Sequence, residues 1–271
     1  MRSILSGKIV EVSTLCESDR NTMYELMERY YDCTNWDRFN KDLDEKKHVI
    51  LLFAGKNRDI KGFSTLMQVN TVINGRKTRA IFSGDTVVDQ EYWGQRVLGR
   101  KFLSYLFMKQ ARHPLSPLYW LLISKGYKTY LLMSNNFREH YPRFETPTPS
   151  SRQKLIDVFA NQLFGDSYNA ESGCCRFSES FGQVRREVAP LDCAQVEKNA
   201  RIKFFVDKNP GWSNGDELVC LARMSWFMPF YYLTKSWWKL FVRSWFKPGV
   251  GESKGSVSST KSAKSILEQQ H

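Results

Sequence analysis

Three segments of β-forming residues follow one another between residues 48 and 89, and this run constrains the fold more than any other feature. Residues 48–54 are the apolar stretch HVILLFA, which is typical of a buried strand. The polar turn sequence GKNRD separates them from residues 60–73, and Asn74-Gly75, a strong hairpin signal, leads into residues 76–89. The sequence therefore predicts three consecutive antiparallel strands.

Helices and further strands are predicted on both sides of this run. Residues 7–14 alternate as a first strand, residues 17–31 carry apolar residues at helical spacing, and residues 34–47 form a second helix or an ordered loop. The period changes to that of a helix at Gln95. Downstream, we predict strands at residues 127–134, 202–207 and 216–222, helices at 135–141 and 152–164, and no assignable element at 118–125. The expected class is a mixed α/β (α+β) protein.

The composition is that of a globular protein with a basic surface. Forty Lys and Arg against 28 Asp and Glu give a formal net charge of +12, and 42% of the residues are hydrophobic. This excludes a wholly disordered chain and favours anionic partners: phosphate groups, an acidic carrier protein, nucleic acid or an anionic membrane face. The cysteines and histidines show no metal-ligand spacing, so no metal site is expected. Because there is no secretory signal and no run of about 20 apolar residues, we expect a cytoplasmic protein.

The most informative motif is a strand ending at residues 87–89 that passes through a glycine-containing turn into a helix. Such a turn exposes backbone N–H groups at a helix N-terminus, where the helix dipole also favours negative charge. Arg96, Arg100 and Lys101 add cations at the same end. The motif predicts a pyrophosphate-binding site. A plain strand-to-helix turn is the alternative, because single glycines are weak signals.

This motif resembles the acyl-CoA signature of the Gcn5-related N-acetyltransferase (GNAT) superfamily, in which a strand ending V-D-x-x-Y-x-G leads into a glycine-rich phosphate loop. The matching residues are Val88, Asp89, Tyr92, Gly94 and Gln95. The family's Q/R-x-x-G-x-G/A core is present as residues 96–101, with a lysine where a small residue is usual. In a second register, residues 94–97 align with the family's G-Q-G-I, so that Arg96 stands where the family has glycine. These departures leave the donor open between acyl-CoA and an acyl-phosphopantetheine on a carrier protein.

The resemblance covers residues 7–145 and implies a fold, a reaction and a set of contacts. The implied fold is a mixed, mainly antiparallel sheet flanked by helices, with a V-shaped splay between the strands before and after the signature helix. The implied reaction is direct acyl transfer from a thioester to an amine. The implied contacts to the donor are made by Val87, Val88, Gly94, Gln95, Arg96, Val97, Gly99, Arg100 and Asn135.

The resemblance also implies two catalytic groups, and each has a plainer interpretation. Asp85, on the strand before the loop, is the candidate base, or else a polar residue of a bulge at the sequence SGDT. Tyr141 matches the family's thiolate-protonating tyrosine, or else is a core tyrosine, because its spacing from Asn135 is one residue shorter than usual. His140 is a candidate for either role.

The resemblance does not explain the C-terminal third of the chain. We expect residues 146–223 to form an extension packed on the 1–145 core, residues 224–248 to form a basic aromatic amphipathic helix, and residues 249–271 to be disordered. The amphipathic helix has three interpretations: it lies peripherally in an anionic membrane interface, it closes the core, or it walls a tunnel for a long acyl chain.

Two functions of different classes stay open. The first is an N-acyltransferase that moves a fatty acyl group from acyl-CoA or acyl carrier protein to an amine of a peptide or a small metabolite. The second is a catalytically silent adaptor of the same fold that binds acyl-CoA or a membrane. Nucleic-acid binding fits the charge, but the chain contains no zinc-finger or RNP motif.

Overall fold

Strands supply the frame of the fold in the computed structural model, which describes residues 4–55, 58–177, 183–184 and 193–225. The strands are β1 (Ser6–Glu11), β2 (Tyr31–Asp32), β3 (His48–Ala54), β4 (Asp59–Ile73), β5 (Arg76–Val88), β6 (Leu118–Ser124), β7 (His140–Tyr141), β8 (Tyr168–Asn169), β9 (Cys174–Cys175), β10 (Gln183–Val184) and β11 (Glu217–Arg223). The helices are α1 (Glu17–Glu28), α2 (Trp36–Asp44), α3 (Val97–Ala111), α4 (Tyr127–Asn136), α5 (Ser150–Phe164), α6 (Cys193–Lys198) and α7 (Ala200–Lys208).

The main sheet has the strand order β1-β3-β4-β5-β6-β11-β9-β8, with β7 also paired to β11. Within the described residues, β5 and β6 are the one parallel pair, and the other pairings are antiparallel. β2 and β10 form a separate two-stranded sheet. The expected mixed, mainly antiparallel sheet is confirmed.

The three consecutive strands predicted between residues 48 and 89 are β3, β4 and β5. Asn74 and Gly75 have φ of +50° and +73°, as a two-residue turn with two left-handed residues requires. This turn geometry follows the right-handed twist of the strands and sets the register of the β4–β5 hairpin, in which Ile73 stands opposite Arg76.

Helices cover both faces of the sheet. The front face is the one covered by α1, α2 and α5: Phe63 and Val87 pack with α1 and α2, and Leu121 packs with α5. The back face is the one covered by α3 and α4, where Phe102 packs on Trp120 at 4.8 Å between ring centroids. Neighbouring residues of β6 point to opposite faces because side chains alternate along a strand.

Three predicted elements are wrong. Residues 127–134, predicted as a strand, belong to α4, whose buried residues recur at helical spacing as Tyr127, Tyr130, Met133 and Ser134. The helix predicted at 135–141 is instead the end of α4, a short connection and β7. Residues 202–207, also predicted as a strand, belong to α7. Both helices are short and bury only part of their surface, so over six to eight residues their patterns resemble strand alternation.

Residues 146–223, predicted as an extension, contribute β11 to the main sheet, between β6 and β9. The described residues belong to one compact unit, residues 1–226. The predicted amphipathic helix beyond residue 225 and the predicted disordered tail lie outside the described residues. In the described part of the chain, no helix is long and apolar enough to cross a membrane.

Candidate functional site at the splay of β5 and β6

The turn that follows β5 is held in place by hydrogen bonds to its own Asp89 carboxylate and to Tyr30, which follows α1. Asp89 Oδ1 accepts from the Glu91 N–H at 3.2 Å. The Tyr30 hydroxyl accepts from the Gln90 N–H at 2.7 Å and donates to Asp89 Oδ1 at 3.4 Å. The indole N–H of Trp93 donates to the Val88 carbonyl at 2.8 Å. These bonds fix the direction in which the chain leaves β5.

The glycines and arginines predicted to bind phosphate come together where α3 begins. Gly94 has a φ of +88°, a conformation that favours glycine. The first hydrogen bond of α3 runs from the Arg100 N–H to the Arg96 carbonyl, so the three preceding N–H groups have no acceptor within the helix. A Cβ added to Gly99 would have no atom within 4 Å, and the arginines at 96 and 100 are exposed. This helix start is an open, cationic site suited to an anion.

Two more predicted contact residues at this helix start make bonds or contacts within the protein. Gln95 Oε1 accepts from the Leu5 N–H at 2.9 Å, which ties the chain before β1 to the loop. The Val97 side chain is buried against β1, 3.2 Å from where a Cβ of Gly7 would lie. Gln95 and Val97 therefore position the loop, and the backbone of α3 is the part that faces outward.

The two central strands pair over only four residues of each. The parallel register of β5 and β6 runs from Arg79 opposite Leu118 to Phe82 opposite Leu121, while β5 continues to Val88 along β4. At the point of separation, the Trp120 indole N–H donates to Ser83 Oγ at 2.8 Å. The expected V-shaped splay is therefore confirmed. It opens toward the N-terminus of α3, the open, cationic site described above.

A β-bulge in β5 lies just beyond the point of separation. Gly84 and Asp85 together stand opposite Thr65 of β4, because the neighbouring pairs are Ser64–Thr86 and Leu66–Ser83. A Cβ on Gly84 would lie 2.6 Å from Thr65 Oγ1, so the bulge needs glycine there. The backbone of Asp85 is therefore part of a bulge, as the plainer of its two interpretations predicted.

The hydrogen-bond alternation of β5 determines which main-chain groups face the splay. The Asp89 N–H donates to the Lys61 carbonyl at 2.9 Å, so alternation directs the main chain of Val87 toward β4 and that of Val88 and Thr86 toward β6. The Val87 side chain is buried in the front-face core. Thr86, which the sequence motif does not include, thus offers a backbone N–H to the splay beside that of Val88.

Two carboxylates and a lysine meet at the open end of the splay, on the front face. Glu217, the first residue of β11, forms an ion pair with Lys125 at 3.5 Å, and its side chain is 6% exposed. Burial raises the pKa of Glu217 to about 7; Lys125 opposes this shift and the charge of Asp85 adds to it. Burial also raises the pKa of Asp85, against the effect of Lys125 and Lys46.

A tyrosine from the α1–α2 connection completes this group. The Tyr31 hydroxyl donates to the Thr86 carbonyl at 3.4 Å, and Lys125 Nζ lies 5.7 Å from the centre of its ring. Burial raises the pKa of Tyr31, and the charges of Asp85 and Glu217 act in the same direction. The signal for Glu217 in the sequence was an acidic pair, DE, directly before the buried stretch LVCLA.

The remaining predicted site residues have other neighbours. Tyr141, on β7, stands opposite Leu221 and packs half-buried against the front-face core under α5. Asn135 Oδ1 accepts from Arg201, in the contact between α4 and α7. His140 is buried, bonds the Phe137 carbonyl through Nδ1 at 2.8 Å, and has its pKa lowered by burial. Among the described residues, no group of His, Cys, Asp or Glu side chains could hold a metal ion.

Comparisons with known proteins find likeness in structure only. No family model matches the chain, and no curated protein matches it. Solved structures do match. Many of them are GNAT-family N-acetyltransferases.

One is the GNAT-family N-acetyltransferase YhbS from Escherichia coli in complex with CoA, 12% identical, with a TM-score of 0.35 over 51% of this chain and 69% of that one. An acetyltransferase from Trypanosoma brucei is 18% identical, with a TM-score of 0.37 over 51% and 96%. A probable N-acyltransferase from Enterococcus faecalis is 13% identical, with a TM-score of 0.37 over 60% and 45%.

Proposed function

We propose that this chain is an N-acyltransferase that moves an acyl group from acyl-CoA directly to an amine. The observation that supports this most strongly is the separation of β5 from β6 beside the open start of α3. A thioester carrier has two features that match it: a pyrophosphate for the helix N-terminus, and a narrow amide-containing arm for the gap between two strands. The exposed arginines at 96 and 100 lie at the phosphate end.

The main chain of β5 supplies the groups that hold the arm. The N–H groups of Thr86 and Val88 point toward β6 and are placed to bond carbonyl oxygens of the pantetheine arm and of the thioester. A backbone N–H aimed at the thioester oxygen stabilises the charge that develops there during attack. The acceptor amine then approaches from the front face, where Asp85 and Glu217 are the candidate bases. Tyr141, the other predicted catalytic residue, stands opposite Leu221 on the side of β11 away from β6, so it is given no step in the proposed reaction.

We further propose that the transferred group is a fatty acyl chain, carried by CoA or by an acidic carrier protein. The net charge of +12 and the aromatic, basic sequence at residues 224–247 support it. Each methylene group buried on binding contributes ~0.8 kcal/mol, so a chain-length preference should be large.

Thiol release from acetyl-, octanoyl- and palmitoyl-CoA in the presence of a panel of primary amines tests the reaction and the donor together. We expect palmitoyl-CoA to be used at least about tenfold more efficiently than acetyl-CoA. Equal or better use of acetyl-CoA contradicts the fatty-acyl donor but not the acyltransferase reaction. Binding without thiol release from any donor favours the silent adaptor instead. Acyl carrier protein loaded with the preferred chain separates the two carriers.

Removing the cations at the start of α3 tests the phosphate site. We expect Arg96→Ala combined with Arg100→Ala to weaken coenzyme A binding by about ten- to a hundredfold, because two charge-assisted contacts to phosphate are lost. Calorimetry measures this, with pantetheine, which lacks the phosphates, as the ligand whose affinity should not change. Arg112→Ala, at the other end of the same helix, is the matched control. Unchanged coenzyme A affinity in the double variant contradicts the site.

A further inference from the structure

The carboxylate of Glu217 is placed at the open end of the splay by strand pairing. Leu218 stands opposite Ser124, so Glu217 lies beside the residue that follows β6, Lys125. The Glu217 carboxylate is nearly inaccessible, whereas the Lys125 side chain is 30% exposed. Asp85 lies across the tip of β6 on the bulge of β5 and interacts electrostatically with both.

The groups that face Glu217 come from four elements. They are Lys125 after β6, Asp85 on β5, Tyr31 on β2 and Cys175 on β9. Among the described residues, Lys125 is the cation that acts on Glu217, and Lys125 and Lys46 both act on Asp85. A carboxylate in such surroundings exchanges its proton near neutral pH, where a base for an amine is most effective.

An independent observation marks the same end of the splay as a site for a polar group. Thr65 Oγ1, on the front face at the bulge, is 1% exposed and has no hydrogen-bond partner within the described residues. A buried hydroxyl without a partner is uncommon and is found at functional sites. A buried hydroxyl without a partner therefore lies opposite Gly84 and Asp85 at the bulge, on the face that carries the two carboxylates.

We propose that Glu217 is the base that takes the proton from the attacking amine, and that the acceptor is a basic primary amine that arrives as its ammonium ion. This inference rests on the proposed acyltransferase function and names the acceptor chemistry of that same site. Asp85 acts with Glu217 in attracting the ammonium ion. Lys125 positions Glu217 through the ion pair.

The proton balance is complete without any further reactant. The ammonium ion gives one proton to the Glu217 carboxylate, and the free amine attacks the thioester carbon, forming the C–N bond. Collapse of the tetrahedral intermediate breaks the C–S bond. The second proton on nitrogen goes to the departing thiolate, and Glu217 later returns its own proton to solvent.

Two nucleophiles of different basicity test this role. Nα-acetyl-lysine amide, called lysine amide below, has only a basic side-chain amine that must lose a proton before attack, whereas hydroxylamine is weakly basic and uncharged at neutral pH. We expect Glu217→Gln to lower kcat/KM with lysine amide by at least about a hundredfold, and to change the rate with hydroxylamine by no more than about threefold. With lysine amide, the wild-type rate should rise through pH 7 and then level off, whereas the rate of the variant should keep rising with the fraction of free amine in solution. The donor is the acyl-CoA selected by the chain-length series.

Each outcome separates this role from the proposed function. Glu171→Gln, an exposed isosteric change, is the activity control, and coenzyme A calorimetry checks that each variant still binds donor. Loss of both reactions with normal coenzyme A binding assigns Glu217 a structural role and overturns the inference. Retained lysine amide activity in Glu217→Gln, or its loss only in Asp85→Asn, also overturns it and leaves the acyltransferase standing. A wild-type chain that releases no thiol with either nucleophile overturns the proposed function itself.

Discussion

Glu217→Gln is expected to make the folded chain more stable at pH 8, by about 3 kcal/mol, although it removes the proposed base. The reason is the burial of Glu217, which raises its pKa in the folded chain to about 7 from an ordinary value of 4.5. Each unit of difference corresponds to about 1.4 kcal/mol. Glutamine has the same shape and carries no charge, so it avoids the cost of a buried carboxylate.

The pH dependence has a definite sign. Between pH 4.5 and about 7, the folded chain keeps a proton on Glu217 that the unfolded chain has released. The free energy of unfolding of the wild type therefore falls, relative to that of Glu217→Gln, as pH rises through this window. Below the window the two chains should differ little, and above it the difference should be constant.

Urea unfolding of both chains at pH 4, 6 and 8 measures this difference directly, and comparing the two chains cancels the titration of all other groups. Glu171→Gln should follow the wild type at each pH. A variant that is less stable than the wild type at pH 8, or a difference independent of pH, contradicts the raised pKa of Glu217.

Arg79→Met is expected to lower the free energy of unfolding by about 3–5 kcal/mol, because Arg79 holds the closed end of the splay. Its buried guanidinium donates to the carbonyls of Lys109, His113 and Ser116 at 2.9 to 3.0 Å, and to Ser116 Oγ at 3.2 Å. The Arg79 N–H also donates to the Pro117 carbonyl at 3.2 Å. These bonds fix the connection from α3 to β6, so the point at which β6 leaves β5 depends on them.

Thermal or urea unfolding checks this expectation, with Arg76→Met as the control, because Arg76 is exposed on the same strand. The control should change the unfolding free energy by less than about 0.5 kcal/mol. A loss of less than about 1 kcal/mol in Arg79→Met contradicts an anchoring role for this residue.

The parts of the fold that were predictable from sequence are those fixed by local chemistry. Alternation, a buried apolar run and the Asn74-Gly75 turn determine β3, β4 and β5, since each signal lies within a few residues of the structure that it specifies. The loop after β5 was predictable for the same reason. The errors at α4 and α7 come from short segments in which strand and helix periods are hard to separate, so tertiary packing decides between them.

The candidate site likewise has one part that local sequence predicts and one part that it does not. Gly94, Gly99 and the arginines between β5 and α3 are neighbours in sequence, and their motif indicates their chemistry. Glu217 reaches the site only because β11 pairs with β6, a contact between segments distant in sequence. Neither the pairing partner of β11 nor the burial of its first residue follows from a local pattern. Glu217 could therefore be identified as a site residue only from the structure.

A crystal structure of the chain with coenzyme A tests the central claim most directly. We predict the pyrophosphate over the backbone N–H groups of residues 97–99, and the pantetheine arm between β5 and β6 with bonds to the main chain of Thr86 and Val88. Coenzyme A bound elsewhere, or β5 and β6 paired along their whole length with no arm between them, contradicts the account.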